Sequence, residues 1–419
     1  MQPVYVGSQS VAAHRSSAGA DAVSLLRELA APLRGLRVLH INATPYGGGV
    51  AEILRSQVPL LRDLGIAAEW KLITGDRRFF EVTKRIHNGM QGAAGALSDR
   101  DRDEYVAHAR RATGDGFDDD YDVIVVHDPQ PLPLRVLHGG SDDTRWVWRC
   151  HIDTSEPNAD VWALLRPFVE AYDAAVFTMS EFVPARLNVP KLAVIPPAID
   201  PLSPKNMELG RRLAVRVLRW IGVDPGRPLI TQVSRFDRWK DPLGVLAAHR
   251  IVLREVPDLQ LALVGSMALD DPEGWRVYRE LQREARADRS VHLFTNLTGV
   301  GNIEVNAFQR LSDVVVQKSV REGFGLVVSE ALWKATPVVA GRAGGIPLQM
   351  PDGTGGILVD SVEECAEALS YLLRDPGAAG ELGARGREIV RERFLITRLL
   401  ADELRLYRAL TGRADSARG

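Results

Sequence analysis

Two glutamates eight positions apart, Glu322 and Glu330, lie in the stretch REGFGLVVSEA at residues 321–331. On one continuous α-helix, a rise of about 1.5 Å per residue would separate them by about 12 Å. A glycosidase needs its two carboxylates about 5–10 Å apart, on either side of one sugar bond. We therefore predict that these two glutamates hold different parts of one ligand.

The glycines between the two acids indicate how that ligand would be held. Gly323 and Gly325 predict a loop whose backbone amides face a ligand, ahead of a helix over about 327–334. Glu330 lies in the first turns of this helix, where its carboxylate could accept two hydroxyls, as a ribose would supply. The alternative is that Glu330 only complements the helix dipole. The combination of loop, glycines and second acid favours the ligand site.

Two cations follow another predicted strand, in SRFDRWKDPLG at residues 234–244. Asp241 can cap the next helix, so Arg235 and Lys240 stand beside a helix N-terminus. Such a pair could clamp a diphosphate, since an arginine binds two oxygens at once, and could replace a metal in neutralising it. The alternative is surface pairing of these cations with Asp237 and Asp241.

Three glycines, Gly47 to Gly49, occur in NATPYGGGVAE at residues 42–52, directly after a predicted strand. They let the backbone approach a ligand closely, and the following helix N-terminus offers unpaired N–H groups to an anion. The stretch is neither a dinucleotide fingerprint nor a P-loop, because the Lys-Ser/Thr pair is missing. An ordinary strand-to-helix turn explains it equally well.

Histidine and aspartate occur together at two further strand ends. His127 and Asp128 belong to VVHDPQPLP, and His151 and Asp153 belong to WRCHID. A histidine in this position could contact a sugar hydroxyl, although a lone histidine is more often structural. No spacing of histidine, cysteine or acid resembles a zinc site, so no metal is expected.

The elements that must position these residues follow a repeated pattern. Short apolar runs alternate with helix-period segments, which is typical of a parallel α/β architecture. A proline-rich linker at 196–206 separates two such series. The predicted strands are 36–42, 67–73, 121–128, 145–153, 174–180 and 192–200, then 228–234, 258–265, 290–295, 312–317, 336–341 and 355–360.

This pattern predicts two doubly wound, Rossmann-like domains. Residues 1–203 form the first and residues 204–395 the second, and a last helix at 396–412 packs back towards the first domain. Ligands in such sheets bind beyond the carboxyl ends of the strands, so the two sheets would face one central cleft. A chain of 419 residues is also too long for one core, since domains rarely exceed about 250–300 residues.

Composition narrows the classes of partner. The chain is 45% hydrophobic and 25% charged, as in ordinary globular proteins. Its net charge of −2 argues against nucleic acid or an anionic membrane surface as a partner. Two cysteines do not make a disulfide framework. The N-terminus lacks the apolar core of a signal peptide and no apolar run approaches about 18 residues, so a cytoplasmic location is expected.

The motifs and their order resemble those of retaining glycosyltransferases of family 4, which have the two-domain GT-B fold. REGFGLVVSE looks like that family's acid–seven–acid motif. Within the family, NATPYGGGVAEIL, WRCHIDTSEPN, TQVSRFDRWKDPLGV and TNLTGVG are similar to the trehalose glycosyltransferring synthases, over nearly the whole chain. Those enzymes reversibly join glucose from a nucleoside diphosphate glucose to free glucose, forming trehalose.

The resemblance also implies roles for individual residues. Arg235 and Lys240 would bind the donor diphosphate, Glu322 the donor glucose and His151 its 6-hydroxyl. The remaining donor-binding residues would be Gly47, Gly48 and Gly49 near the diphosphate, Leu297 and Val300 around the base, Gly323, Phe324, Gly325 and Leu326 along the glucose, and Glu330 on the ribose. By position, the acceptor would meet Asn42, Lys84, Asp128, Gln130 and Asp153.

The resemblance implies no cofactor, with ADP-, UDP- or GDP-glucose as the donor substrate. A homodimer is our own expectation for the oligomer. Two other functions stay open at this point. A retaining trehalose phosphorylase would hold inorganic phosphate at the Arg235/Lys240 site and would need no base pocket. A non-catalytic sugar- or nucleotide-binding module would bind these ligands without turnover.

Overall fold

The computed structural model describes residues 1–114, 120–138, 143–267 and 272–413. Its β-strands, numbered along the chain, are β1 (Gln2–Pro3), β2 (Arg37–Asn42), β3 (Ala67–Leu72), β4 (Val123–His127), β5 (Arg145–Arg149), β6 (Ala174–Phe177), β7 (Lys191–Val194), β8 (Leu229–Arg235), β9 (Gln260–Ser266), β10 (Val291–Thr295), β11 (Val314–Gln317), β12 (Val338–Gly341) and β13 (Gly356–Val359).

The α-helices of these ranges are α1 (Arg15–Ala18), α2 (Ala20–Ala30), α3 (Gly49–Asp63), α4 (Arg77–Met90), α5 (Asp99–Gly114), α6 (Leu134–His138), α7 (Ala159–Val169), α8 (Arg211–Trp220), α9 (Pro242–Val252), α10 (Pro272–Glu284), α11 (Asn302–Leu311), α12 (Leu326–Trp333), α13 (Ile346–Gln349), α14 (Val362–Arg374), α15 (Pro376–Arg393) and α16 (Ile396–Thr411). None of these helices is both long and apolar enough to cross a membrane.

The first compact unit comprises Met1–Ala198 and the chain from Ile396 onward. Its seven-stranded sheet has the order β1-β3-β2-β4-β5-β6-β7. All neighbours are parallel except β1, which pairs antiparallel with β3. The sequence pattern did not predict this edge strand, because two exposed residues carry no hydrophobic period. Helix α16 packs against α2 and α3 of this unit.

The second compact unit is Ile199–Leu395. Its six strands have the order β10-β9-β8-β11-β12-β13, and every neighbouring pair is parallel. The reversal of strand order between β8 and β11 is a topological switch point, beside which open α/β sheets bind their ligands. The strand β8 therefore delivers its last residues to the place where a ligand is expected.

Each unit has its own apolar core beside its sheet. In the first unit Trp146, Trp148 and Phe177 are fully buried, and in the second Phe236 and Phe308 are. Buried parallel strands explain the continuous apolar runs from which the architecture was predicted. Three predicted strands end three or more residues early: the strand expected over 145–153 ends at Arg149, that over 192–200 at Val194 and that over 174–180 at Phe177. Pro196 and Pro197 cannot donate to a ladder, which explains the second difference.

Candidate active site

The end of β8 brings the first cation of the site into place. Arg235 is the last residue of the strand, and its Nη2 lies 3.3 Å from Asp237 Oδ2. Asp237 Oδ1 also accepts a hydrogen bond of 2.7 Å from the Trp239 amide, which caps the short 3-10 turn leading to Lys240. Of the pairing considered above, the contact of Arg235 with Asp237 is thus present, whereas Lys240 pairs with Glu322 and Asp241 with Lys318. The Arg235 side chain keeps 38% of its surface exposed and can still meet an anion.

Lys240 and Glu322, 82 residues apart in the chain, form an ion pair with Nζ 2.5 Å from Oε2. Glu322 is only 7% exposed. Gln317 Nε2 and Ser319 Oγ also donate to Oε2, over 3.3 Å and 3.2 Å. A buried carboxylate needs such partners, because burial of an unpaired charge is costly. Below, these four residues are called the Glu322 cluster.

All three donors of the Glu322 cluster converge on one carboxylate oxygen. Among the described residues, Glu322 Oε1 has no hydrogen-bond partner. An ionised carboxylate accepts through both oxygens, so Oε1 retains its full capacity to accept from a ligand hydroxyl. The cluster therefore fixes the orientation of the carboxylate and leaves one acceptor for a ligand.

Asp241, next to Lys240, holds a strained backbone conformation with φ 45° and ψ 51°. Its Oδ1 accepts from the Gly244 amide at the start of α9 over 3.0 Å, and Lys318 forms an ion pair with its Oδ2. A side chain at Gly244 would collide with this carboxylate. Strained residues persist where their surroundings over-determine them, as at ligand sites. The cap and the ion pair together fix the backbone of Asp241, and with it the position of the neighbouring Lys240.

The glycine-rich loop after Glu322 packs against a second glycine pair, Gly344 and Gly345. A Cβ at Gly344 would lie 1.6 Å from the Glu322 carbonyl oxygen, and the Gly345 amide donates to Gly323 O over 3.2 Å. Gly325 has φ 80° and caps α12, which begins at Leu326. The predicted loop and helix are therefore present. The side chain of Phe324 is buried against Phe394, so only its backbone remains for a ligand.

Glu330 lies in α12 and is almost completely buried, with 1% of its surface exposed. Its Oε2 accepts from Gln309 Nε2 over 2.9 Å, and its Oε1 lies 3.4 Å from Lys205 Nζ. Its carbonyl oxygen accepts from Lys334 Nζ over 2.9 Å. Burial lowers the pKa of Lys334 to about 7, although the Glu330 charge opposes this shift. Glu330 is thus held by protein groups as the structure stands.

The stretch TNLTGVG follows β10. Thr295 is the N-cap of the turn over Asn296–Thr298, and the Thr298 hydroxyl accepts from the Thr295 amide and donates to the Thr295 carbonyl oxygen. Leu297 on this turn is 58% exposed, whereas Val300 is buried with Phe308 in the core of the second unit. Of these two residues, Leu297 alone presents a side chain that a base could cover.

In the first unit, the glycine-rich stretch is a turn into α3. Gly47 has φ 79° and Gly48 is the N-cap of the helix. Asn42, at the end of β2, is 4% exposed and already engaged: Nδ2 donates to Thr44 O, and Oδ1 accepts from Trp70 Nε1, each over 2.7 Å. The Asn42 side chain therefore supports the turn with the groups that an acceptor would need.

Asp128 and His151 come together at the carboxyl ends of β4 and β5. Asp128 Oδ1 accepts from the His151 amide over 2.8 Å. Its backbone is left-handed, with φ 61°, which is uncommon for a residue with a side chain. Burial raises the pKa of the Asp128 carboxyl to about 7, although the hydrogen bond from His151 and the charge of Arg149 act in the opposite direction. This carboxyl group can therefore change its charge near neutral pH.

The other predicted acceptor residues differ in accessibility. Gln130 and Lys84 are half-buried, the latter on α4. Asp153 is 3% exposed, and its Oδ1 accepts from the amide and hydroxyl of Ser155.

Sequence reasoning missed three residues that shape these sites: Gln317, Ser319 and His40. Gln317 and Ser319 immediately precede the acid motif, and this proximity was the available signal for them. His127 had been noted only as part of a histidine–acid pair. His40 lies inside an apolar strand and carries no local signal, although it contacts His127.

Two family models match this chain, one in each of its halves. Residues 40–184 match the family model described as "Trehalose synthase, N-terminal domain". Residues 219–389 match the model described as "Glycosyl transferases group 1". Each match falls within one of the two compact units.

Relatives of full length agree with these models. A trehalose synthase of Rubrobacter xylanophilus is 54% identical over 98% of this chain and 100% of its own length. One of Pyrococcus horikoshii is 44% identical over 97% and 98%. A trehalose phosphorylase of Pleurotus pulmonarius is more distant, at 28% identity over 82% of this chain and 53% of its own length.

Solved structures show the fold. An α,α-trehalose-phosphate synthase (UDP-forming) from Burkholderia xenovorans, in complex with glucose-6-phosphate, has a TM-score of 0.72 at 14% identity, over 89% of this chain and 100% of that one. With the two α/β sheets, which are parallel apart from the edge strand β1, this likeness confirms the predicted GT-B fold class. The chain belongs to the trehalose synthase family of GT-B glycosyltransferases and works in trehalose-related glycosyl transfer.

Proposed function

We propose that this protein is a retaining glucosyltransferase that joins glucose from a nucleoside diphosphate glucose to free glucose and forms trehalose. The observation that carries the proposal is the Glu322 cluster. It combines a cation, Lys240, with a carboxylate whose Oε1 is open to a sugar hydroxyl. A donor that contains both a diphosphate and a sugar needs these two chemistries side by side.

The leaving group of this reaction is a nucleoside diphosphate, whose negative charge grows as the glycosidic bond breaks. Lys240 and the exposed part of Arg235 would stabilise that charge, because preorganised cations are most effective where charge develops. The acceptor hydroxyl attacks from the leaving-group side, and its proton passes to the departing phosphate oxygen. Glu322 orients the glucose through Oε1, and no cofactor takes part.

The two domains would divide the substrates between them. Residues 204–395 would bind the donor, with Leu297 beside the base and Glu330 at the ribose. Glu330 would then exchange Lys205 or Gln309 for ribose hydroxyls. Residues 1–203 would bind the acceptor glucose. Lys84, Asp128 and Gln130 are half-buried and therefore more accessible to it than Asn42 and Asp153. The same residues 1–203 would place His151 at the 6-hydroxyl of the donor glucose.

The direct test incubates the purified protein with glucose and ADP-, UDP- or GDP-glucose and identifies the disaccharide by NMR. We expect an α,α-1,1-linked product, with relative rates that name the base. Phosphate-dependent breakdown of trehalose to glucose 1-phosphate, with no product from any nucleotide donor, would assign the protein to the phosphorylases instead. Binding of donor and glucose without turnover would make it a binding module.

The Asp128→Asn variant should lose a pH dependence near neutrality. Because the Asp128 pKa is raised to about 7, the carboxylate that would accept a glucose hydroxyl predominates above that pH. In the wild-type protein kcat/KM for glucose should therefore rise through pH 7, by up to about tenfold per pH unit below the pKa. In the variant the profile should be flat between pH 5.5 and 8.5.

The matched control for this profile is Asp160→Asn, an exposed acid in the first turn of α7. It should keep the wild-type slope. If kcat/KM of the wild type did not rise near pH 7, or if Asp128→Asn kept that rise, Asp128 would not be the group that binds the acceptor.

A further inference from the structure

Three histidines from neighbouring strands form a continuous chain in the first unit. His40 belongs to β2, His127 ends β4 and His151 follows β5, and these strands are neighbours in the sheet. His40 Nδ1 lies 3.1 Å from His127 Nε2, and His127 Nδ1 lies 3.0 Å from His151 Nε2. Each distance is that of a hydrogen bond between two imidazole rings.

Two of the three rings are buried: His40 is 0% and His127 2% exposed. Burial lowers the pKa of His40 to about 3, with a smaller contribution from the Arg149 charge. Burial also holds the pKa values of His127 and His151 well below their usual range. All three rings are therefore neutral at pH 7, and each carries a single N–H.

A chain of three neutral imidazoles can have either of two polarities. In the first, His40 donates to His127, His127 donates to His151, and His151 carries its proton on Nδ1. In the second, every bond is reversed, and His40 must carry a proton on Nε2. The structure distinguishes them, because His40 Nε2 is buried and has no hydrogen-bond partner among the described residues. A buried N–H without an acceptor is rarer than a buried acceptor without a donor, so the first polarity is favoured.

We propose that His40 and His127 are positioning residues that hold His151 in the Nδ1–H tautomer, so that the site presents a hydrogen-bond donor to the sugar. This inference rests on the proposed function, in which His151 contacts the 6-hydroxyl oxygen of the donor glucose. His151 itself is half-buried, and its Nδ1 takes no part in the chain of rings. A free imidazole would interconvert between its tautomers and would present a donor for only part of the time.

The first test reads the tautomer without using activity. Long-range ¹H–¹⁵N correlation spectra of the full chain, labelled with ¹⁵N-histidine and without substrate, report which nitrogen of each ring is protonated. The His151 signals are assigned by their loss in His151→Gln. We expect the proton on Nδ1 at pH 7 in the wild-type protein, and averaged signals in His127→Phe. A wild-type His151 with its proton on Nε2 overturns the proposal, even if the variants do not fold.

The second test separates positioning from a general structural role. With the ordinary donor, His127→Phe should lower kcat/KM about tenfold, as loss of one well-placed hydrogen bond predicts. With a donor whose glucose lacks the 6-hydroxyl, the same substitution should have no further effect, because the contact is already absent. Equal losses with both donors would mean that His127 only supports the fold.

The matched control is His138→Phe, which replaces a half-buried histidine of α6 outside the chain of rings. It should leave kcat/KM unchanged with both donors. Failure of the proposed function would be seen separately. In that case no nucleotide donor would yield a disaccharide, whereas the spectra would still show which nitrogen of His151 carries the proton.

Discussion

Replacing Lys240 by alanine is expected to lower kcat about 10²–10³-fold with the fold intact, as loss of one charge-stabilising group does in other enzymes. Lys240 provides the cation that lies 2.5 Å from the carboxylate assigned to the donor glucose. In the proposed reaction, its removal would take away one of the two cations that stabilise the charge growing on the departing diphosphate. The measurement is steady-state turnover at saturating donor and glucose, beside a circular dichroism spectrum.

Two variants make this result specific. Lys191→Ala removes an exposed lysine of β7 and should leave kcat unchanged. Lys240→Arg keeps the charge but replaces a compact ammonium by a planar fork, so it should recover only part of the loss. A Lys240→Ala enzyme with kcat within about threefold of the wild-type value would show that the lysine merely neutralises Glu322.

Replacing Arg149 by methionine is expected to destabilise the first unit by about 3–5 kcal/mol, because it leaves a buried charge without its partner. Arg149 Nη1 on β5 lies 2.7 Å from Glu403 Oε1 on α16, and both residues are at most 3% exposed. Gln57 Nε2 also donates to this carboxylate, at its Oε2. Burial already raises the Glu403 pKa, which the charges of Arg149 and Arg398 oppose.

The pH dependence of this effect has a definite sign. Without Arg149, the pKa of Glu403 in the folded protein rises further. The variant is therefore least stable, relative to wild type, at high pH, where Glu403 would be ionised, and loses less stability at low pH, where Glu403 is protonated. The difference in unfolding free energy between wild type and variant should therefore shrink from pH 8 to pH 5. Amide hydrogen exchange of β5 and α16 provides the measurement, and β8 and β11 of the second unit serve as an internal reference.

Two further variants test the ion-pair explanation. Arg149→Met combined with Glu403→Leu removes both charges and should recover most of the lost stability. Arg166→Met breaks a pair with the same 2.7 Å separation, but the side chains of Arg166 and Glu170 are 40% and 27% exposed. That change should cost no more than about 1 kcal/mol. A double variant as unstable as Arg149→Met would show that packing of the arginine stem, and not its charge, holds α16.

Sequence alone was sufficient for the parts of this protein that depend on local pattern. Alternating apolar runs and helical segments predicted parallel α/β sheets, because buried strands and amphipathic helices differ in period. The GFG loop, the helix that carries Glu330 and the Asp241 cap were likewise readable, since each depends on residues within a few positions. Strand ends were less accurate: the strand expected over 145–153 ends at Arg149, where the chain leaves the ladder.

Contacts between distant residues were decided by the tertiary structure. Lys240 meets Glu322 because β8 lies beside β11, and His40 meets His127 because β2 lies beside β4. Strand order is set by which packing buries the most apolar surface, a property of the whole domain that no short stretch encodes. For the same reason the sequence indicated Glu322 as a ligand-binding acid through its local motif, but only the fold showed that three donors occupy one of its oxygens and leave the other open.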